Sequence, residues 1–473
     1  MKKFWKRVVA GILVTLVSLL GPAFTIQADE AEDAEKKAAE EALAKEKAAV
    51  LALPVETNAL TNWPQGPGVY ADSAIVMDIE SGAILYAKRI NEKHYPASIT
   101  KVLTTLIALE NGELADEVLF TQDSVDFLEP GDAYIGMRPG EILTLEDSLH
   151  AVLLASANEV SHAVGESVGA KMGGDYDTFI QEMNDRSEAL GCTGSHWMNT
   201  NGLHHDEHYT TAHDMALIGS EVYGWEQFRK TTQTLQYTIP PTNLEEESRT
   251  FQQKHKMLHE SNQYYYPYCT GGKTGYTDQA RTTLITFADN EQLKLVAVNM
   301  RSYGAQVYVD TTAMFDYVFA NFSKKSISGH EDQNKVERFL TEDPYVVLPE
   351  GVTLDQLEVT YEVDEDGEER QAIARYTYEN QPVGNVDVVL KKAYYNELAG
   401  IVETPDEDVE NSKDTVRDLD KSPSGSAVIA GIFAVGIIIL IVTILVCIKL
   451  DQKKKYEMRQ RRRKKKNASI INE

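Results

Sequence analysis

The chain has 473 residues, with 46 Lys+Arg against 73 Asp+Glu for a net charge of −27, 42% apolar residues and 25% charged ones. Such a composition excludes a wholly disordered or fibrous protein, and at ~100–200 residues per domain the length accommodates about two to three domains. The acidic balance also argues against nucleic-acid binding, which needs basic patches facing phosphate.

The charge is unevenly spread. Residues 1–28 carry Lys2, Lys3, Lys6 and Arg7 and no acidic residue. The uncharged apolar run Val8–Leu20 follows, then small residues at Gly21, Ala23 and Ala28. This is the layout of a secretory signal peptide, with alternative cleavage points after Ala23 and Ala28. Asp29–Val50 is almost entirely Ala, Glu, Lys and Asp. It has no apolar stripe to bury, so residues 29–59 are expected to form a charged, solvated spacer, helical or disordered, with Pro54 ending its helical pattern.

Globular patterning begins near Tyr70. Ser73–Met77 and Ala83–Ala87, joined by Glu80-Ser81-Gly82, predict a β-hairpin. Ile99, Val102, Leu103, Leu106 and Ile107 recur at helical spacing, and Gly112 supplies the stop. Helical patterns continue through Leu145–Val168, Tyr176–Leu190 and Ala212–Tyr223. Strand-like runs return at Thr282–Phe287 and Leu293–Asn299, followed by a helical stretch over Thr311–Phe322. Strands flanking a helical block predict an α/β or α+β domain over residues 60–325.

Beyond it, short alternating runs separated by Gly351, Asp366-Gly367 and Pro382 predict a small all-β domain over residues 332–400. Residues 401–426 form an acidic linker. Ala427–Ile448 is an uncharged apolar run of 22 residues, long enough to cross ~30 Å of hydrocarbon. Residues 449–473 hold 11 Lys/Arg against Asp451, Glu457 and Glu473. The positive-inside bias keeps this tail cytoplasmic and puts everything before Ala427 outside. The expectation is a membrane protein with one C-terminal transmembrane helix and an external body. A basic nucleic-acid arm is the weaker alternative, because the run abuts the span. Cys192 and Cys269 lie in the body, and two cysteines there make no disulfide framework.

Three short motifs carry chemistry. Ser98-Ile99-Thr100-Lys101 opens the first long helix, where side chains three apart share one face. A serine hydroxyl attacks only when a base takes its proton, and lysine serves if burial and nearby cations lower its pKa. Ser156-Ala157-Asn158 follows an apolar helix, and Lys273-Thr274-Gly275 precedes a strand. Each has a bland reading: an exposed Ser and Lys on an amphipathic helix, a helix cap, an exposed turn. Their order is that of the penicillin-recognising serine enzymes.

With these motifs the sequence resembles the D-alanyl-D-alanine carboxypeptidases among the low-molecular-mass penicillin-binding proteins. The resemblance extends through His94–Lys101, Phe179–Leu203 with Asn199-Thr200-Asn201-Gly202-Leu203, Tyr209–Ala216 and Gly271–Thr277. It implies a penicillin-recognising transpeptidase/β-lactamase-like catalytic domain of α/β (α+β) class. It also implies acyl transfer with Ser98 as nucleophile and Lys101 as general base. Ser156 and Asn158 would relay protons and hold the substrate amide. Lys273, Thr274, Gly275 and Tyr276 would bind substrate, with Lys273 and Thr274 on the terminal carboxylate. Lys273 would also help keep Lys101 neutral, and the N–H groups of Ser98 and Tyr276 would form the oxyanion hole. The partners implied are peptidoglycan stem peptides and β-lactams, with no cofactor.

The chain departs from the family at two places. Asn158-Glu159-Val160 stands where Asn-Asp-Ala is usual, and Ala280-Arg281 where Ala-Gly is usual. His204, His205, His208 and Asp206 do not match a recognised zinc spacing, so no metal site is expected. Two rivals share part of the pattern. A class A β-lactamase would need a Glu-x-x-Leu-Asn motif, which is lacking here, and a non-catalytic cell-wall-peptide receptor would need a signalling partner for its short tail.

Overall fold

The computed structural model describes residues 36–363 and 370–400. The expected signal peptide, acidic linker, span and basic tail lie outside the described residues. Among the described residues no helix is long and apolar enough to cross a membrane.

Five antiparallel strands form the central sheet: β1 (Ser73–Asp78), β2 (Ile84–Lys88), β3 (Cys269–Thr277), β4 (Arg281–Asp289) and β5 (Lys294–Ser302), in the order β2-β1-β5-β4-β3. The predicted hairpin is β1–β2, turned by Gly82 at φ 70°, a conformation glycine adopts without steric cost. Strand alternation divides the core. Ile75, Met77, Ile285, Phe287, Val296 and Val298 face one cluster. Ala74, Val76, Leu284, Ala288, Leu295 and Ala297 face the other. Period-two burial of this kind is what two-sided sheets require. Lys273-Thr274-Gly275 lies within edge strand β3, not in an exposed turn ahead of a strand.

Helix α1 (Thr100–Asn111) is buried from Thr100 to Leu109, and Gly112 closes it by donating to Ala108 O at 2.9 Å. The long helix expected over 145–168 is broken. A short helix (Leu145–His150) runs into a π-helical turn (Ala151–Ala155), Ser156 turns left-handed at φ 62°, and α2 (Asn158–Lys171) starts afresh. The break is invisible in the pattern because Ala151–Ala155 is buried on every side, so apolar content continues through it. Helices α3 (Tyr176–Ala189) and α4 (Ala212–Tyr223) follow their predicted ranges. Gly219 lets α4 approach Ile285 and Val296 on the sheet, where a Cβ would come within 2.7 Å of Ile285 Cδ1. Helix α5 (Gln306–Asn321) packs on the opposite face through Met314, Phe315 and Val318.

After α5, strand β6 (Phe322–Ser326) pairs with β8 (Tyr345–Pro349). The strands β7 (Val336–Phe339), β9 (Glu358–Val363), β10 (Gln371–Tyr378) and β11 (Gln381–Leu390) form a second sheet in the order β7-β11-β10-β9. A short helix, Lys392–Leu398, follows, so residues 332–400 are not purely β.

The charged segment before the sheet is helical over residues 36–51 and its outer positions are exposed. It is nevertheless docked. The buried Lys88 donates its Nζ to Val50 O at 2.8 Å and to Val69 O at 2.7 Å. Val55 and Thr57 are buried against the body. A solvated spacer does not include this docking, which uses a backbone carbonyl at Val50 and single buried residues at Val55 and Thr57 in place of an apolar stripe.

Candidate active site

Ser98 sits in a tight turn (Ala97–Ile99) at the entrance to α1, after Ala97 with φ 51°. Thr283 of β4 fastens this turn by donating Oγ1 to Pro96 O at 2.7 Å. Edge strand β3 passes close by: a Cβ at Gly275 would lie 2.9 Å from Ser98 N. Glycine is therefore required there for the strand to reach the Ser98 backbone. From the other side Gly202, at φ 84°, presses so close that a Cβ would lie 1.9 Å from Ala97 O.

Lys101 is the second residue of α1 and is fully buried. Its Nζ is 3.2 Å from Ser98 Oγ, 2.7 Å from Asn158 Oδ1 and 2.6 Å from Asn201 O. Among the described residues its hydrogen-bond partners are three neutral oxygens and no carboxylate. Burial first, and the nearby Lys254 cation second, draw the Lys101 pKa down to about 7. A lysine so poised is half neutral near physiological pH.

The second motif supplies the roof. Ser156 Oγ accepts from Lys273 Nζ at 2.9 Å. Asn158 begins α2, and its backbone N–H donates to Ala133 O at 2.8 Å. The next residue, Glu159, is fully buried, and its Oε1 accepts from Ile135 N at 2.7 Å and Gly136 N at 3.2 Å. Burial raises the Glu159 pKa. The first turn of α2 thus holds the 129–136 loop over the cleft. The left-handed φ of Ser156 costs of order 1–3 kcal/mol for a non-glycine residue, and it is the kink that carries the hydroxyl across to Lys273.

Lys273 of β3 is also buried, with Nζ 2.7 Å from Thr274 O besides its Ser156 contact. Burial, then Lys101 and Lys254, hold its pKa well below the usual lysine range. Thr274 and Gly275 line the same cleft, and the exposed Tyr276 stands at its mouth with its hydroxyl 3.1 Å from Asp278 Oδ1. The cleft of about 1020 Å³ is lined by Ser98, Ser156, Asn158, Thr274, Gly275 and Tyr276 together with Lys254 and Asp132. All eight residues singled out in the sequence converge here, Lys101 and Lys273 beneath its floor.

Several contributors escape the sequence. Asn201 presents only its carbonyl. Gly202 lies in the Asn199–Leu203 stretch noted for its resemblance but assigned no task. Thr200 O, accepting from Thr104 Oγ1 and Ser161 Oγ at 2.6 Å each, ties that stretch to α1 and α2. Lys254 has no signal in the polar run Gln252–Lys256. Arg281 is absent from the cleft lining and instead pairs with Glu46 at 2.6 Å.

The histidines of the His204–His208 stretch have separate hydrogen-bond and ion-pair partners. His208 is buried beside Thr100, with Nε2 2.8 Å from Thr100 Oγ1 and Nδ1 accepting from Met198 N at 3.0 Å. His204 Nε2 lies 3.4 Å from Asp206 Oδ1, and His205 Nδ1 accepts from Glu207 N.

A family model described as D-alanyl-D-alanine carboxypeptidase matches residues 60–304. D-alanyl-D-alanine carboxypeptidase DacF of Bacillus subtilis is 30% identical over 264 residues, which cover 53% of this chain and 63% of DacF. D-alanyl-D-alanine carboxypeptidase DacB2 of Mycobacterium tuberculosis is 31% identical over 263 residues, 54% of this chain and 84% of the relative. A solved D-alanyl-D-alanine carboxypeptidase from Mycobacterium tuberculosis H37Rv superposes with a TM-score of 0.48 at 27% identity, covering 55% of this chain and 94% of its own.

Proposed function

The chain belongs to the D-alanyl-D-alanine carboxypeptidase family, and from that premise we propose that it removes the terminal D-alanine from peptidoglycan stem pentapeptides through a serine-bound acyl-enzyme. The observation that carries this reading is the 3.2 Å approach of Lys101 Nζ to Ser98 Oγ, with a buried lysine drawn to about 7. That pair meets the two requirements of nucleophilic catalysis, a hydroxyl and a base within reach and partly neutral at working pH.

The reaction then runs as follows. The neutral Lys101 amine takes the Ser98 hydroxyl proton as Oγ bonds to the carbonyl carbon between the two D-alanines. The backbone N–H groups of Ser98 and Tyr276 receive the developing oxyanion. Asn158 orients the substrate amide. A proton passes by way of Ser156 to the amide nitrogen, the C–N bond breaks, and D-alanine leaves as a free amine. Water next attacks the ester, giving a proton to Lys101, and Ser98 regains its hydrogen as the shortened peptide departs. Lys273 and Thr274 bind the terminal carboxylate. An arriving anion favours the charged form of Lys273, and that charge in turn favours neutral Lys101. Substrates with a free chain end thereby prepare the base. β-Lactams acylate the same serine and leave slowly.

We further propose that the body is exported and tethered. Support comes from the apolar run Val8–Leu20 behind basic residues, from the uncharged run Ala427–Ile448 and from the basic residues that follow it. The catalytic domain then faces the cell wall and the tail the cytoplasm. The test is D-alanine release from diacetyl-L-lysyl-D-alanyl-D-alanine by the purified full chain. Ser98→Ala should abolish it, and a wild-type protein that binds penicillin but releases no D-alanine would defeat the proposal.

A further inference from the structure

Arg281 is the first residue of β4 and pairs with Thr277 at the end of the β3 strand that carries Lys273, Thr274 and Tyr276. Between them Asp278 and Gln279 form part of the cleft wall. Arg281 adopts φ 55°, a left-handed conformation natural to glycine and strained for arginine. Its guanidinium pairs with the charged helix that precedes the domain: Nη1 lies 2.6 Å from Glu46 Oε1 and Nη2 3.0 Å from Glu46 Oε2. Two parallel N–H···O contacts fix orientation as well as distance.

The same guanidinium lies 5.0 Å from the centre of the Tyr303 ring, and Lys47, next to Glu46, places its Nζ 5.2 Å from that ring. Tyr303 leads into Gly304 and Ala305, which line the cleft, and Gly304 N donates to Thr282 Oγ1 at 2.9 Å. One turn further on, the helix is also anchored through Lys88 on Val50 O. It therefore grips the back of the hairpin whose front faces the substrate. The guanidinium holds the Glu46 carboxyl below its usual range, chiefly by this hydrogen bond.

We propose that Glu46 and Arg281 are positioning residues, through which the N-terminal helix 36–51 fixes the β3–β4 hairpin that presents Thr274 and the Tyr276 N–H to substrate. This rests on the acyl-enzyme reading above. Both side chains are partly exposed, and a lone exposed ion pair would add little to stability. The expected consequence is in the geometry of turnover: small displacements of a catalytic hairpin cost rate steeply.

The experiment uses the full chain, with kcat and KM for diacetyl-L-lysyl-D-alanyl-D-alanine, the rate of acylation by a fluorescent penicillin, and the melting temperature. Glu46→Gln and Arg281→Gln should each lower kcat and the acylation rate about three- to tenfold with little change in KM. Glu46→Arg combined with Arg281→Glu should restore most of the loss. Wild-type rates in both single variants, a lowered melting temperature with unchanged kcat, or a charge swap that restores nothing would each overturn the proposal. An inactive wild-type protein would instead strike at the acyl-enzyme reading, so the two failures are distinguishable.

Discussion

Lys101 and Lys273 reach the cleft from two different elements, α1 and β3, and each is buried without a carboxylate partner: Lys101 Nζ meets Ser98 Oγ at 3.2 Å, and Lys273 Nζ meets Ser156 Oγ at 2.9 Å. Burial and the Lys254 cation hold the Lys101 pKa down, and burial, Lys101 and Lys254 hold that of Lys273 down. In the proposed mechanism the first contact gives Ser98 its base and the second gives Ser156 its proton path.

The pH profile follows from this. With Lys101 at about 7, kcat/KM for the peptide should fall about tenfold per pH unit below that value and level off above it. The sign for folding runs the same way. The folded-state pKa lies below the ordinary 10.5, so the burial cost is fully felt below about pH 7 and fades as pH rises toward 10.5. Lys101→Met should remove the profile altogether and lower the acylation rate about 10²–10⁴-fold, the usual range for losing a general base.

Lys254 tests the electrostatic part alone. Its cation is the principal charge that lowers Lys101. Lys254→Gln should raise the Lys101 pKa and move the acid limb of kcat/KM to higher pH, leaving activity on the alkaline plateau less affected. A pH titration of penicillin acylation reads the shift directly.

Gly202→Ala should damage the nucleophile's seat. The residue needs φ 84°, and a Cβ would stand 1.9 Å from Ala97 O. The turn before Ser98 must move, at a cost of about 1–3 kcal/mol in stability. Chemical denaturation should show that loss, and penicillin labelling should drop at least about tenfold.

Glu159→Ala should leave Ile135 N and Gly136 N without their buried acceptor. Both hydrogen bonds are part-buried, so their loss costs up to about 1–3 kcal/mol, and the melting temperature should fall. Because these amides hold the 129–136 loop over the cleft, KM should also rise.

Much of the site is legible in sequence because its chemistry is carried by side chains at fixed short spacings. Ser98 and Lys101 are one helical turn apart, and Ser156 and Asn158 flank one kink. The mixed sheet-and-helix class is equally legible, from the β1–β2 alternation and the helical spacing of α1. What is not legible depends on backbone or on distant packing. Asn201 acts through a carbonyl that any residue possesses. Lys254 lines the cleft through distant packing, its neighbours Gln253 and His255 being held by Thr232 O and by Thr286 of β4. The kink at Ser156 hides in an unbroken apolar run, and the docking of residues 36–51 rests on Lys88, Arg281 and Tyr303, none of them marked by periodicity.

The most direct test of the account is the identity of the acylated residue. The full chain is incubated with one equivalent of benzylpenicillin, digested and mapped by mass spectrometry, with D-alanine release followed in parallel. A single stoichiometric adduct is expected on the peptide containing Ser98, with loss of carboxypeptidase activity in proportion to labelling. An adduct on any other residue, or full Ser98 labelling with D-alanine release undiminished, would contradict it.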